Sequence, residues 1–230
     1  MALARRQIAE ALNIDPDRLI FTSGATEANN LALLGHARTR GCGHLISVNT
    51  EHHAVLDPLA QLQREGFQVS LLQAQSNGLI TPTQLEEAIR PDTRLVSVMA
   101  ANNEIGVLQP LKELAAICRN RGVVFHSDAA QAFGHIPLEP DNLGLDLVSL
   151  SAHKLYGPKG IGALVIREGV RLQPLQWGGG QEADLRAGTL PTPLIVGFAA
   201  AVQEAMADRD ERHTRLAGLR DQLWSGLNDQ

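Results

Sequence analysis

The sequence predicts an α/β fold in which a mostly parallel β-sheet is covered by helices on both faces. Short, continuously apolar segments alternate along the chain with longer segments that carry one apolar face. Continuously apolar strands are typical of parallel sheets, because both faces of such a sheet are buried. The 230 residues are enough for one large domain.

The helical segments combine an apolar face with recognisable end signals. Thr81 is a favoured N-cap and Pro82 fits the first helical position, so a helix is expected to begin there. Gly66 and Gly122 are expected to stop two others. The predicted helices cover residues 2–12, 24–38, 55–64, 81–90 and 110–121, and the pattern is helical again from about residue 193 onward.

The predicted strands are the apolar segments between these helices. They cover residues 19–22, 44–48, 68–72, 95–99, 123–126, 145–150 and 162–166. Ligands of such sheets bind outside the carboxyl ends of the strands, so the residues after each strand are the candidate site. Small or polar residues follow nearly every strand: Ser23-Gly24-Ala25-Thr26, Glu51-His52-His53, Ala101-Asn102-Asn103-Glu104, Asp128-Ala129-Ala130-Gln131 and Ser151-Ala152-His153-Lys154.

Composition restricts the kinds of partner. A formal net charge of −5 gives no reason to expect nucleic acid or a membrane surface. No apolar run approaches the ~20 residues of a membrane helix, and no signal peptide is visible. Cys42 and Cys118 form no metal or disulfide pattern, and we expect Cys118 in the core and Cys42 in a turn. Reduced thiols suit a cytoplasmic location.

Lys154 is the most informative of the strand-end residues. A lysine held at the end of a core strand is poorly solvated, and burial lowers the pKa of a lysine. A neutral amine can attack an aldehyde and hold it as a Schiff base. The alternative is an ordinary surface lysine at the end of a strand.

The other strand ends each allow two interpretations. The loop around Gly24 could bind an anion at a helix N-terminus, or could be ordinary capping. Asp128 could pair with a cationic ring nitrogen, as pyridoxal phosphate (PLP) requires, or could cap a helix.

The paired histidines and the paired asparagines also allow two interpretations each. His52 and His53 follow a strand, and a histidine there could stack on a cofactor ring and move protons, or could bond to backbone at a helix start. Asn102 and Asn103 could be turn residues or could bond a cofactor or substrate oxygen. Arg186 and Thr189 in the glycine-rich loop suit a phosphate contact, although a generic polar loop would look the same.

Together these segments closely resemble the large domain of cysteine desulfurases, which are PLP enzymes of the class V aminotransferase family. The match covers most of the chain, in family order and at similar spacing. The matching segments are Phe21-Thr22-Ser23-Gly24-Ala25-Thr26-Glu27, Thr50-Glu51-His52-His53-Ala54-Val55-Leu56, Asn102-Asn103-Glu104-Ile105-Gly106, His126-Ser127-Asp128-Ala129-Ala130-Gln131, Ser151-Ala152-His153-Lys154-Leu155-Tyr156-Gly157-Pro158-Lys159-Gly160, Gly178-Gly179-Gly180-Gln181-Glu182 and Arg186-Ala187-Gly188-Thr189-Leu190-Pro191.

The resemblance implies a three-layer α/β/α sandwich and a role for each matching residue. Lys154 would be the Schiff-base lysine, and His52 would stack on the PLP ring and assist proton transfer. Asp128 would pair with the pyridinium nitrogen, Gln131 would bond the phenolic oxygen, and Asn103 would lie by the cofactor and the substrate carboxylate. The residues implied to hold the phosphate are Ala25, Thr26, Ser151 and His153, with Thr189 reaching the phosphate of the neighbouring subunit of a homodimer.

The implied reaction is removal of sulfur from L-cysteine, giving L-alanine and a persulfide for iron–sulfur cluster or thio-cofactor synthesis. Residues 1–230 would form one PLP-binding large domain, with a helix over about 1–12 leading in and a helix over about 205–230 leading towards a small domain. The family's N-terminal Asn-Ala-Ala-Thr-Thr run, its catalytic cysteine loop and its substrate-binding arginine have no counterpart in the sequence.

These differences affect the expected activity. Little or no sulfur transfer to an acceptor protein is expected from these residues alone. In the glycine-rich loop, Ala183-Asp184 replaces the family's usual Arg-Gly. The alternatives are another class V reaction, such as selenocysteine lyase or an aminotransferase, and a non-catalytic scaffold that binds cofactor or a partner.

Overall fold

The computed structural model describes residues 1–39 and 41–228, and a seven-stranded sheet forms its centre. Its strands are β1 (Leu19–Thr22), β2 (His44–Val48), β3 (Gln68–Leu72), β4 (Thr93–Ser97), β5 (Val124–Asp128), β6 (Leu147–Ser151) and β7 (Gly162–Ile166). The strand order is β1-β7-β6-β5-β4-β2-β3. Pairing is parallel except that β7 runs antiparallel to β1 and to β6. The expected mostly parallel sheet is confirmed.

Helices cover both faces of this sheet. They are α1 (Ala2–Leu12), α2 (Ala25–Ala37), α3 (His53–Arg64), α4 (Pro82–Ala88), α5 (Leu111–Asn120), α6 (Pro140–Leu143), α7 (Thr192–Ala207) and α8 (Arg209–Asn228). Apolar residues of α2 and α3 form one core cluster with the sheet, and those of α1, α4, α5 and α7 form another on the opposite face. The three-layer α/β/α sandwich is therefore confirmed.

Alternation along the strands supplies both cores. In β6, Leu147 belongs to the cluster with α2 and α3, whereas Val148 and Leu150 belong to the cluster on the other face. All three are fully buried. Since burying a leucine or valine side chain contributes about 1.5–3 kcal/mol, a strand that is apolar on both faces stabilises both layers.

Most element boundaries fall within two residues of prediction. Thr81 caps α4 as expected, with its hydroxyl accepting the N–H of Gln84 at 3.2 Å and Pro82 in the first turn. β4 begins and ends two residues earlier than predicted, and the expected C-terminal helix is divided into α7 and α8 at Asp208. The short helix α6 was not predicted. No helix in the described ranges is both long enough and apolar enough to span a membrane.

The outer edge of β1 is covered by an ion pair. Arg5 of α1 donates to the carbonyl of Leu19 and also pairs with the carboxylate of Glu182. The other carboxylate oxygen of Glu182 accepts the backbone N–H of Phe21 at 2.6 Å. These two side chains satisfy β1 backbone groups on the side that faces away from β7, and they hold the loop around Glu182 against the sheet.

Candidate functional site

A cavity of about 490 Å³ opens at the carboxyl ends of β1, β2, β4, β5 and β6. This is the position that a doubly covered, mostly parallel sheet predicts for a ligand. The residues that line it are Ser23, Gly24, Ala25, Thr26, Glu27, His52, Ala54, Met99, Ala101, Asn103, Asp128, Ala130, Gln131, Ser151, His153, Lys154, Lys159 and Gly160. Every residue to which the resemblance assigned a role, except Thr189, lies in this wall, and Arg186, which suited a phosphate contact, does not line it.

The N-terminus of α2 forms one side of the cavity. Gly24 is the N-cap with φ 152°, and no side chain caps the helix there. A glycine suits this φ, and Gly162 lets β7 pass close by, since a Cβ on Gly162 would lie 2.7 Å from the Cα of Gly24. An uncapped N-terminus presents backbone N–H groups and a favourable dipole to an anion.

Asp128 is the last residue of β5 and is only 5% exposed. One carboxylate oxygen accepts the N–H of Ala130 at 2.9 Å, and the other accepts an amide N–H of Asn29 at 2.6 Å. Burial raises the pKa of Asp128, and these two hydrogen bonds oppose the rise. Asp128 thus bonds the following turn and lines the cavity, although the residues after it form a turn and not a helix.

His52 has the helix-start role considered for it, and its stacking on a cofactor ring stays a prediction. Its Nδ1 accepts the N–H of Ala54 at 3.0 Å, which makes it the N-cap of α3, and its ring lines the cavity. Because Nδ1 is an acceptor in this bond, a neutral ring carries its proton on Nε2. His53 is separate from this cavity, is largely exposed and contacts Asp57 at 3.4 Å.

The two asparagines have different roles. The side chain of Asn102 donates to the carbonyl of Thr50 and accepts the N–H groups of Glu104 and Ile105, so it fixes the turn. Asn103 lines the cavity. The turn interpretation is therefore confirmed for Asn102, and a contact between Asn103 and a cofactor or substrate stays a prediction.

Lys154 lies in a short 3₁₀ turn directly after β6. It lines the cavity as predicted, but its expected burial is wrong, because the residue is exposed. The strand ends three residues earlier, at Ser151, so Lys154 stands on the rim and not inside the sheet. Its backbone carbonyl accepts from Nε2 of His135 at 2.9 Å.

Ser151 and His153 form a polar pair beside this lysine. The Ser151 hydroxyl and Nδ1 of His153 are joined by a hydrogen bond of 2.8 Å. Partial burial, followed by the positive charges of Lys154 and Lys159, lowers the pKa of His153. The pair therefore offers a hydroxyl and an imidazole to the same part of the cavity.

Thr189 is the exception among the predicted residues. It is exposed, on the loop that follows Glu182, and it does not line the cavity of its own chain. The cysteines do not line it either. Cys42 is exposed in the turn before β2, and Cys118 is buried in α5, where burial raises the pKa of its thiol to about 12.

Sequence reasoning missed several residues of this region. Glu27, Lys159 and Met99 line the cavity. Asn29 supports Asp128 from α2. Glu27 could have been found, because it stands three residues after the glycine N-cap, where a helix start favours an acidic residue.

Glu51 was also missed, although it lies beside His52 in the sequence. Its side chain accepts the N–H of Met99 at 2.6 Å, and its other oxygen has no partner among the described residues. Burial, with a smaller contribution from the nearby charge of Asp128, raises the pKa of Glu51 well above its usual range. Burial therefore disfavours the charged form of Glu51 in the fold.

The fold and the cavity define an α/β protein with a ligand site at the carboxyl edge of a mostly parallel sheet. Residues 1–229 match the aminotransferase class V family. This chain belongs to that family.

Similar proteins include curated cysteine desulfurases and solved structures. Cysteine desulfurase from Homo sapiens is 51% identical over 227 residues, which are 97% of this chain and 50% of the human protein. A solved NifS-like protein has a TM-score of 0.96 at 40% identity and covers 99% of this chain and 63% of that one. A structure of SspA in complex with cysteine has a TM-score of 0.85 at 46% identity, and the match covers 87% of this chain and 59% of that one. The chain spans about half the length of the curated relatives it matches.

Proposed function

We propose that this chain is the PLP-binding large domain of a cysteine desulfurase. The observation that supports this most directly is the meeting of Lys154, Asp128 and His52 in one cavity beside an uncapped helix N-terminus. Each comes from a different strand end. An amine for the Schiff base and a carboxylate for the ring nitrogen are groups with which proteins hold PLP, and an imidazole beside them can move a proton.

The residues present fit the cofactor. A carboxylate buried at the end of β5 needs a cationic partner, and the pyridinium nitrogen of PLP would supply one to Asp128. The phosphate would be held by the N-terminus of α2 at Ala25 and Thr26, with Ser151 and His153 adding side-chain donors. Gln131 would bond the phenolic oxygen, and Lys154 would hold the aldehyde.

The chemistry divides between cofactor and protein. PLP, when bound, supplies an electron sink for the pair left when the Cα–H bond of an amino acid breaks. Asp128 would keep the ring nitrogen protonated, and its bonds to Asn29 and Ala130 fix its carboxylate for that contact. Since Nδ1 of His52 is engaged with Ala54, Nε2 is the ring nitrogen left for moving a proton.

The substrate proposed is L-cysteine, with Asn103 near its carboxylate and a thiol of an acceptor taking the sulfur as a persulfide. Neither Cys42 nor Cys118 is proposed as that thiol, because neither lines the cavity. The exposed position of Thr189 supports a homodimer in which it reaches the phosphate of the other subunit. We also propose that residues 1–230 form a single PLP-binding domain. The proposed role is iron–sulfur cluster assembly, and the proposed location is the cytoplasm.

Cofactor binding by Lys154 can be tested by absorbance. Purified protein mixed with PLP should develop a band at roughly 410–430 nm, where a lysine-bound aldehyde absorbs. Reduction with borohydride and peptide mass analysis should place the modification on Lys154. Lys154→Ala should lose the band, and Lys112→Ala, on the exposed side of α5, should retain it.

A Lys154→Ala protein that keeps the band, or a modification mapped to Lys159 in the same cavity wall, would contradict the assignment. Products then separate the reactions within the family. L-alanine together with sulfide or persulfide from L-cysteine supports desulfuration. A keto acid that retains its sulfur would instead support an aminotransferase.

A further inference from the structure

The carboxylate of Glu27 lies in the wall of the cavity, in the first turn of α2. One of its oxygens accepts the backbone N–H of Ser23 at 2.7 Å, and the other accepts from Nε of Arg186 at 2.9 Å. Both side chains are about four-fifths buried, at 24% and 18% exposure for Glu27 and Arg186. Glu27 is thus a fixed group of the same helix end that would receive a phosphate.

A charged carboxylate at this place is unfavourable for anion binding. Burial favours the neutral acid, but the hydrogen bonds from Arg186 and Ser23 outweigh it and lower the pKa of Glu27. Glu27 is therefore ionised near neutral pH. Like charges in a partly buried site repel more strongly than they do in water, so an uncompensated Glu27 would oppose a phosphate at this helix end.

Arg186 reaches Glu27 from a loop that is distant in sequence. The loop is anchored at Glu182, which pairs with Arg5 and accepts the N–H of Phe21. The side chain of Gln176 donates a hydrogen bond of 2.9 Å to the carbonyl of Ala187, the residue after Arg186. Arg186 itself is not among the residues that line the cavity, so it is placed to act on Glu27 and not to touch the ligand.

We propose that Arg186 neutralises Glu27, so that the N-terminus of α2 can accept the phosphate of the cofactor. Arg186 is then a positioning residue for phosphate affinity. The inference rests on the proposed function, since it concerns how that site distinguishes a phosphorylated ligand. It assigns a role to two side chains that do not need to contact the cofactor ring.

The test compares PLP with pyridoxal, which lacks the phosphate, in direct binding titrations followed by absorbance. Arg186→Gln should weaken PLP binding on the order of tenfold or more, because the charge of Glu27 is left uncompensated. Pyridoxal binding should change by less than about threefold, since no phosphate is present to be repelled. The binding of inorganic phosphate, measured by calorimetry, should weaken in parallel with the binding of PLP.

A double variant that removes both charges tests whether Arg186 acts through Glu27. Glu27→Gln with Arg186→Gln should bind PLP within about threefold of the wild type, because the repelling charge is gone. Glu27→Gln alone should bind PLP at least as tightly as the wild type. Arg38→Gln is the control, because it breaks an ion pair with Glu65 at the other end of α2. It should leave the affinities for PLP and for pyridoxal unchanged.

A double variant as weak as Arg186→Gln would overturn the inference, since Arg186 would then contact the phosphate or merely hold the loop. Equal loss of PLP and pyridoxal in Arg186→Gln would also overturn it, by pointing to a structural defect. If the wild type binds neither PLP nor inorganic phosphate, the proposed function fails, and the inference fails with it.

Discussion

At the scale of single residues, the site depends on side chains that do not face the ligand. Asn29 is fully buried, and its amide donates to Asp128 at 2.6 Å. Asn29→Ala should lower the free energy of unfolding by about 1–3 kcal/mol, because a buried carboxylate loses one of its two donors. Urea denaturation at neutral pH measures this change.

Asn30 is the matched control for this prediction. It is adjacent in the same helix, but its side chain donates to the carbonyl of Thr26 in an exposed position. Asn30→Ala should change stability by less than about 0.5 kcal/mol. Equal losses in the two variants would mean that the contact with Asp128 has no particular effect on stability.

At the scale of elements, the loop that carries Arg186 contains local strain. Glu182, Ala183 and Asp184 have φ values of 48°, 54° and 62°, three consecutive left-handed residues without a glycine. Such a conformation costs about 1–2 kcal/mol for a residue with a Cβ, whereas glycine adopts it readily. Ala183→Gly should therefore raise the melting temperature slightly, with a gain of about 0.5–1 kcal/mol.

The same substitution of alanine by glycine in a regular helix should lower stability instead of raising it. Ala200 is exposed within α7, and Ala200→Gly should lower stability by about 1 kcal/mol. The pair of variants holds the chemical change constant and varies only the backbone conformation. If Ala183→Gly destabilises as much as Ala200→Gly, the loop is not strained at residue 183 in solution.

At the scale of the whole molecule, a buried polar network crosses the sheet. His126 of β5 lies 2.8 Å from the Ser97 hydroxyl of β4 and 3.0 Å from the Ser149 hydroxyl of β6, measured at its two ring nitrogens. Burial lowers the pKa of His126 to about 3. The folded chain therefore binds this proton only in strong acid, while the unfolded chain binds it near the ordinary pKa of 6.5.

The stability contributed by the neutral ring is complete above pH 6.5 and is lost as the pH falls towards 3. The free energy of unfolding of the wild type minus that of His126→Asn should fall by about 1.4 kcal/mol for each pH unit below 6.5. Denaturation curves between pH 7.5 and 4.5 test this difference. A difference independent of pH would mean that folding does not change the protonation of His126.

The sequence was sufficient for the sheet and for most of the cavity wall, because both depend on local patterns. Apolar segments located the strands, and the rule that ligands bind at strand ends located Lys154, Asp128 and His52. The exposure of Lys154 was missed although the strand end was predicted to within one residue, because the exposure of a side chain in the following 3₁₀ turn depends on which other segments pack over it. The contacts of Arg5 and Arg186 join residues far apart in the chain, and no local pattern encodes them.

The pair formed by Arg5 and Glu182 has a consequence for assembly. An open edge strand can recruit a strand from another molecule, which extends the sheet and leads to uncontrolled growth. At β1, the carbonyl of Leu19 and the N–H of Phe21 are already occupied by these charged side chains. To extend the sheet at this edge, a strand from a second copy of the chain would therefore have to displace both charged side chains from the backbone of β1.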